Sequence, residues 1–172
     1  MRTVEVVAAI IRRGSCVLAT QRDKGELAGG WEFPGGKVEP GETCEQALRR
    51  EIREELDAEV RVERFFQTVE WEEDDFRRVM HCYVCSLPDG HFELLEHRAA
   101  RWLHRDELDE VAWLPADEEI LEALKEALSD RSEEPSCGQA EIAVEDGANR
   151  RRAGQGSEAD AVIEPWRRAG RR

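Results

Sequence analysis

No apolar run in this chain approaches the ~20 residues that a membrane helix needs, so no membrane partner is expected. The opening TVEVVAAII is the nearest approach. Glu5 interrupts it and no small-residue cleavage site follows, so a first strand is expected there rather than a secretory leader. Basic charge is also short. Lys and Arg number 25 against 39 Asp and Glu, a net charge of -14, and a duplex nucleic acid, whose phosphates are bound chiefly by Lys and Arg, is excluded as a partner. Nucleotides stay open, provided metal cations bridge the two like charges. Zinc spacing is missing as well: the one C-x-x-C, Cys82 and Cys85, lies in the strand-like HCYVC with no second ligand pair. The five cysteines are odd in number and scattered, which points to reduced thiols in a cytoplasm.

What is present reads as one domain followed by a tail. Nine acids and eight bases lie beyond residue 129, leaving -13 on residues 1–129. From about Asp130, Ser, Glu, Gly, Arg and Ala replace apolar periodicity, and 130–172 is expected to be a disordered tail. Within residues 1–129, Val4–Arg12 and Cys16–Gln21 read as a hairpin. Trp31–Phe33 is a short strand running into Pro34-Gly35-Gly36. Thr43 and Gln46 form a capping-box pattern opening a helix to about Leu56. Ala58–Val69, Arg77–Ser86, Phe92–Leu95 and Arg101–Leu103 have strand character, and Asp117–Leu128 carries a helical stripe. The expected fold class is α+β, an α/β/α sandwich with a mixed β-sheet between helices.

The helix from Thr43 poses a chemical question. At about 100° per residue, Glu51, Glu54 and Glu55 share an arc of about 100°, flanking the apolar stripe of Leu48, Ile52 and Leu56. Like charges at the edge of a buried stripe cost free energy unless something neutralises them. Arg50 can pair with Glu54 at i, i+4, as on any charged helix. The Gly35-Gly36 lead-in adds a backbone able to approach a ligand with free carbonyls, and hard divalent cations favour such oxygen donors with substrate phosphates.

Gly36, Glu42, Arg50, Glu51, Ile52, Glu54, Glu55 and Ala58 stand in the register of the Nudix hydrolase signature, and the chain resembles that family. One position departs: the glycine that ends the signature helix is Asp57, which a left-handed cap tolerates with some strain. EVVAAII, WEFPGGKVEPGE, EHRAARW and LPAD extend the resemblance to the MutT-type branch and the similar CTP pyrophosphohydrolases, over about residues 3 to 129.

The resemblance implies the Nudix fold, Mg²⁺ or Mn²⁺, and hydrolysis of a nucleoside triphosphate to monophosphate and pyrophosphate. By the same resemblance Glu51, Glu54, Glu55, the Gly36 carbonyl and the loop residue Glu96 are metal ligands, with Glu51 or Glu54 the general base and Glu96 the outside candidate. The resemblance further implies that Glu42 and Arg50 support the loop and helix and that Arg22 and Lys37 face phosphate, and Phe33 and Trp31 are expected to stack on or wall the base. Asp117 takes the place of a base-recognising Asn. An ionised Asp only accepts hydrogen bonds, which suits a cytosine amine, whereas a protonated one also suits an oxidised purine. The expected function is therefore MutT-type sanitising of oxidised nucleotides such as 8-oxo-dGTP. CTP or dCTP hydrolysis, other Nudix substrates and a non-catalytic nucleotide-binding module are the alternatives, and a homodimer stays open.

Overall fold

The computed structural model describes residues 1–129 and 142–143. Strands β1 (Arg2–Arg13) and β2 (Cys16–Arg22) form the expected hairpin, but they pair only next to the turn, Arg12 with Val17 and Arg13 with Cys16. Beyond that they fork. The segment 31–37 fills the fork: β3 (Trp31–Glu32) pairs antiparallel with β2, and β4 (Gly35–Lys37) pairs antiparallel with β1. The Ala9 N–H donates to the Pro34 carbonyl at 2.8 Å, tying the link between the two short strands to β1. Only glycine fits at 35, because a Cβ there would overlap the Val7 carbonyl oxygen.

Outside the fork, β6 (Phe76–Ser86) runs parallel to β1, and β5 (Arg61–Glu73) pairs antiparallel with β6 as the edge strand. On the other side β7 (His97–His104) pairs with β2, and β8 (Ile142–Ala143) with β7. Apart from that two-residue pairing, the expected tail, with Trp166 and its arginine clusters, lies outside the described residues. The mixed sheet separates two cores. On one face α1 (Cys44–Leu56) buries Leu48, Ile52 and Leu56 against Val7, Ala9, Leu18 and Trp102. On the other, a 3-10 turn (Arg105–Glu110), α2 (Pro115–Glu118) and α3 (Leu121–Ser129) bury Leu108, Ile120 and Leu124 against Ala8, Ile10, Phe33 and Met80. This is the α/β/α sandwich.

Helix α1 begins with the capping box: Thr43 Oγ1 accepts from the Gln46 N–H, and Gln46 Oε1 accepts from the Thr43 N–H. It ends at Asp57, whose φ of 46° is left-handed. That conformation costs an L-residue roughly 1–2 kcal/mol that glycine escapes. Asp57→Gly is therefore expected to raise stability by about 1 kcal/mol, read as an upward shift of the thermal midpoint.

Three expectations need correction. Phe92–Leu95 is not a strand; the Glu93 and Leu95 N–H groups donate to the Leu56 and Glu55 carbonyls, so the segment closes the end of α1 instead. The single helix Asp117–Leu128 is two, broken at Glu119–Ile120, with an Ile120 N–H to Asp117 carbonyl bond marking a tighter turn. The helical stripe starts earlier as well, at Pro115, whose fixed φ suits a first helical position. Finally, Cys44, Cys82 and Cys85 are free thiols, with burial raising the Cys82 and Cys85 pKa, but Cys16 is disulfide-bonded, against the expectation of five reduced cysteines. No helix among the described residues is long and apolar enough to cross a membrane.

Candidate active site

The fork and α1 build the site together. Gly36 faces Glu51: a Cβ there would sit 2.5 Å from Glu51 Oε1, so the missing side chain is what admits the carboxylate. One residue earlier, the Gly35 N–H donates to Glu55 Oε2 at 3.2 Å. Glu55 is otherwise buried with no cationic partner among the described residues, and burial, reinforced by the charges of Glu32, Glu51 and Glu96, pushes its pKa well above the ordinary carboxylate value. Burial also raises Glu51, to about 7, against the opposing pull of Arg50.

Arg50 organises the outer part. Its Nε donates to Glu42 Oε1 at 2.7 Å, Nη1 to Glu51 Oε1 at 2.8 Å and to Glu54 Oε2 at 3.4 Å, and Nη2 to the Lys37 carbonyl at 2.9 Å. Glu42, which also accepts from the Glu39 N–H, is held down to about 2 by these bonds. Glu54 is the exposed member of the trio. Glu96 is exposed too, but its charge reaches Glu51 and Glu55 because the Leu95 N–H is fastened to the Glu55 carbonyl. Lys37 stands beside Glu51, and its pKa is lowered by burial and by Arg78 and Arg2.

The donor set suits a hard cation: buried carboxyls without enough positive charge, beside a glycine backbone. As they stand, no three acidic, His or Cys side chains among the described residues form a ready metal cage. Arg50 is bonded to Glu51 and Glu54 instead, as the charged-helix pairing foresaw for Glu54.

At the other end of segment 31–37 lies a second acidic group. Asp117 Oδ1 accepts from the Phe33 N–H at 2.9 Å, fully buried, and burial followed by the charge of Glu32 raises its pKa well above the ordinary value. Phe33 itself is 3% exposed, packed 4.6 Å from Trp113, so its backbone rather than its ring is offered at the site. Trp31 is buried likewise. Arg22 is joined to Glu32 at 3.3 Å. Glu32 and His97, bonded at 3.2 Å, have no counterpart among the sequence candidates. The signals were faint: Glu32 sits between two core aromatics, and His97 directly follows Glu96.

The NUDIX domain family matches residues 1–132, most of the chain. The chain belongs to the Nudix family. It is 42% identical over 126 residues to the CTP pyrophosphohydrolase of Escherichia coli K12, covering 72% of this chain and 92% of that protein. It is 43% identical over 117 residues to putative 8-oxo-dGTP diphosphatase 2 of Mycobacterium tuberculosis H37Rv, covering 65% and 81%. Among solved structures, the E. coli ORF135 protein superposes with a TM-score of 0.65 at 39% identity, over 78% of this chain and 96% of that one. A MutT Nudix hydrolase from Burkholderia pseudomallei gives 0.62 at 28%, over 71% and 98%. This Nudix hydrolase is thus an enzyme of phosphoric anhydride bonds.

Its site has a pH signature. Between the ordinary value of 4.5 and about 7, folded Glu51 holds a proton that the unfolded chain has released. The folded state binds more protons in that window, so stability falls as pH rises through it. In chelator the thermal midpoint is expected to drop from pH 5 to 7.5, and Glu51→Gln to flatten the drop.

Proposed function

We propose that this Nudix hydrolase cleaves a nucleoside triphosphate to monophosphate and pyrophosphate, with a cytosine-type base as the preferred substrate. The two carboxyl groups at the base end, Asp117 and Glu32, carry this reading. Asp117 Oδ1 accepts from the Phe33 N–H, and burial favours the neutral carboxyl, which can donate as well as accept. Glu32 supplies an acceptor. One donor and one acceptor match the cytosine edge, whose ring N3 accepts and whose exocyclic amine donates. An oxidised purine is the second reading: the same protonated Asp117 can donate to a purine carbonyl while Glu32 accepts from a ring N–H.

At the phosphate end, Gly36, Glu54, Glu55 and Glu96, with Glu51, would hold Mg²⁺ or Mn²⁺. The cations would neutralise phosphate oxygens and make a bound water easier to deprotonate. Glu51, ionised beside the cations, is the group that would take the proton of the attacking water. Lys37 faces the phosphates, while Glu42 and Arg50 fix the helix edge against β4. Arg22 serves the base end through Glu32 rather than the phosphates.

Pyrophosphate release with Mg²⁺ over a panel of CTP, dCTP, UTP, 8-oxo-dGTP, a nucleotide sugar and a dinucleoside polyphosphate tests the proposal. CTP or dCTP should show the largest kcat/KM. A larger value for 8-oxo-dGTP favours the second reading, and saturable binding with no turnover favours the non-catalytic module.

A further inference from the structure

Glu32 is gripped at one oxygen and bare at the other. Arg22 Nε lies 3.3 Å and His97 Nε2 3.2 Å from Glu32 Oε1. The three side chains come from β2, β3 and β7, brought together by the fork and by the bulge at Gln21/Arg22. None of the described residues donates to Oε2, and the Glu32 side chain is 18% exposed, so that oxygen is open to a ligand.

His97 is the unusual member. Its side chain is 5% exposed and its Nδ1 is buried with no hydrogen-bond partner among the described residues. Nε2 faces a carboxylate and donates to it, and the Nδ1 side of the ring is left without a partner among the described residues. An orphaned buried polar atom costs stability that an apolar side chain of similar size would escape. Packing therefore does not account for a histidine here, and the Nε2–H bond does.

We propose that His97 is a positioning residue for base selection: with Arg22 it fixes Glu32 Oε1, so that Oε2 stands as a fixed acceptor beside Asp117. This rests on the nucleotide-hydrolase reading and deepens it. A fixed acceptor next to a fixed donor distinguishes edges that carry the same two groups in opposite order. Cytosine and uracil are such a pair, amine and N3 acceptor against carbonyl and N3–H.

The experiment compares wild type, His97→Leu and His97→Gln, measuring kcat and KM for CTP and UTP with Mg²⁺. His97→Gln keeps an N–H near the Nε2 position without the bare ring nitrogen. Wild type should favour CTP. In His97→Leu the CTP/UTP ratio should fall about tenfold, the equivalent of one modest hydrogen bond, through KM for CTP with kcat nearly unchanged. His97→Gln should restore the ratio to within about twofold of wild type. Absence of discrimination in wild type, an unchanged ratio in His97→Leu, or loss of kcat alone in both variants overturns the proposal. If wild type turns over no nucleotide at all, the hydrolase reading has failed separately, and the same ratio taken from calorimetric Kd values for CMP and UMP decides the role of His97.

Discussion

Glu55→Gln is expected to abolish turnover while making the metal-free protein more stable. The two effects have one source. Glu55 is buried, accepts a side-chain hydrogen bond from the Gly35 N–H, and is surrounded by the charges of Glu32, Glu51 and Glu96. A carboxylate so placed costs stability in the absence of a cation. Glutamine keeps the acceptor for Gly35 and removes the charge. The thermal midpoint in chelator should rise at pH 7, and stabilisation by added Mg²⁺, a mass-action effect of binding to the folded state, should shrink sharply. Loss of several kcal/mol of charge stabilisation in the transition state corresponds to a fall in kcat of about a thousandfold. Retention of wild-type kcat with an unchanged response to Mg²⁺ would remove Glu55 from the metal set.

The second large effect is expected from Asp117→Asn. The amide can still accept from the Phe33 N–H through its oxygen, so the α2 segment should stay docked and the melting behaviour should change little. What changes is the outward group: a carboxyl able to donate or accept according to its protonation becomes a fixed NH₂ donor. Without a titrating oxygen, the pH dependence of base preference should flatten. The amide keeps the donor that the neutral carboxyl offers cytosine N3, so at a pH where wild-type Asp117 ionises the variant should exceed wild type in kcat/KM for CTP by about 10- to 100-fold, the worth of one well-placed base contact at roughly 1–3 kcal/mol. Identical pH profiles for the two proteins would place base recognition elsewhere.

Much of this architecture could be read before any coordinates. The capping box at Thr43, the stripe Leu48–Ile52–Leu56 and the left-handed Asp57 follow from local sequence, because a helix repeats every few residues and its ends have chemical markers. The acidic patch followed from the same periodicity. The second half of the site was hidden for a different reason. Glu32 occupies a two-residue strand between Trp31 and Phe33, and two large aromatics suggest core rather than an acidic anchor. Its partner His97 is 65 residues distant, joined only by the pairing of β7 with β2. Phe92–Leu95 has strand composition, but the end of α1 leaves carbonyls needing donors, and the segment satisfies them. The break after Asp117 likewise comes from tertiary structure, since its side chain is held by a backbone 84 residues away.

The wedge of chain between β1 and β2 has a consequence for which molecules can be processed. The amide of Phe33 holds the Asp117 carboxyl, and the amide of Gly35 holds the Glu55 carboxyl. The short link between the two amides, bent at Pro34 and tied to β1 through the Pro34 carbonyl and β4, therefore fixes the spacing of the two carboxyls. On the proposed function, such a gauge would set the distance from nucleobase to scissile phosphate. Lengthening it by one inserted residue should mismatch the two ends even if every side chain is kept.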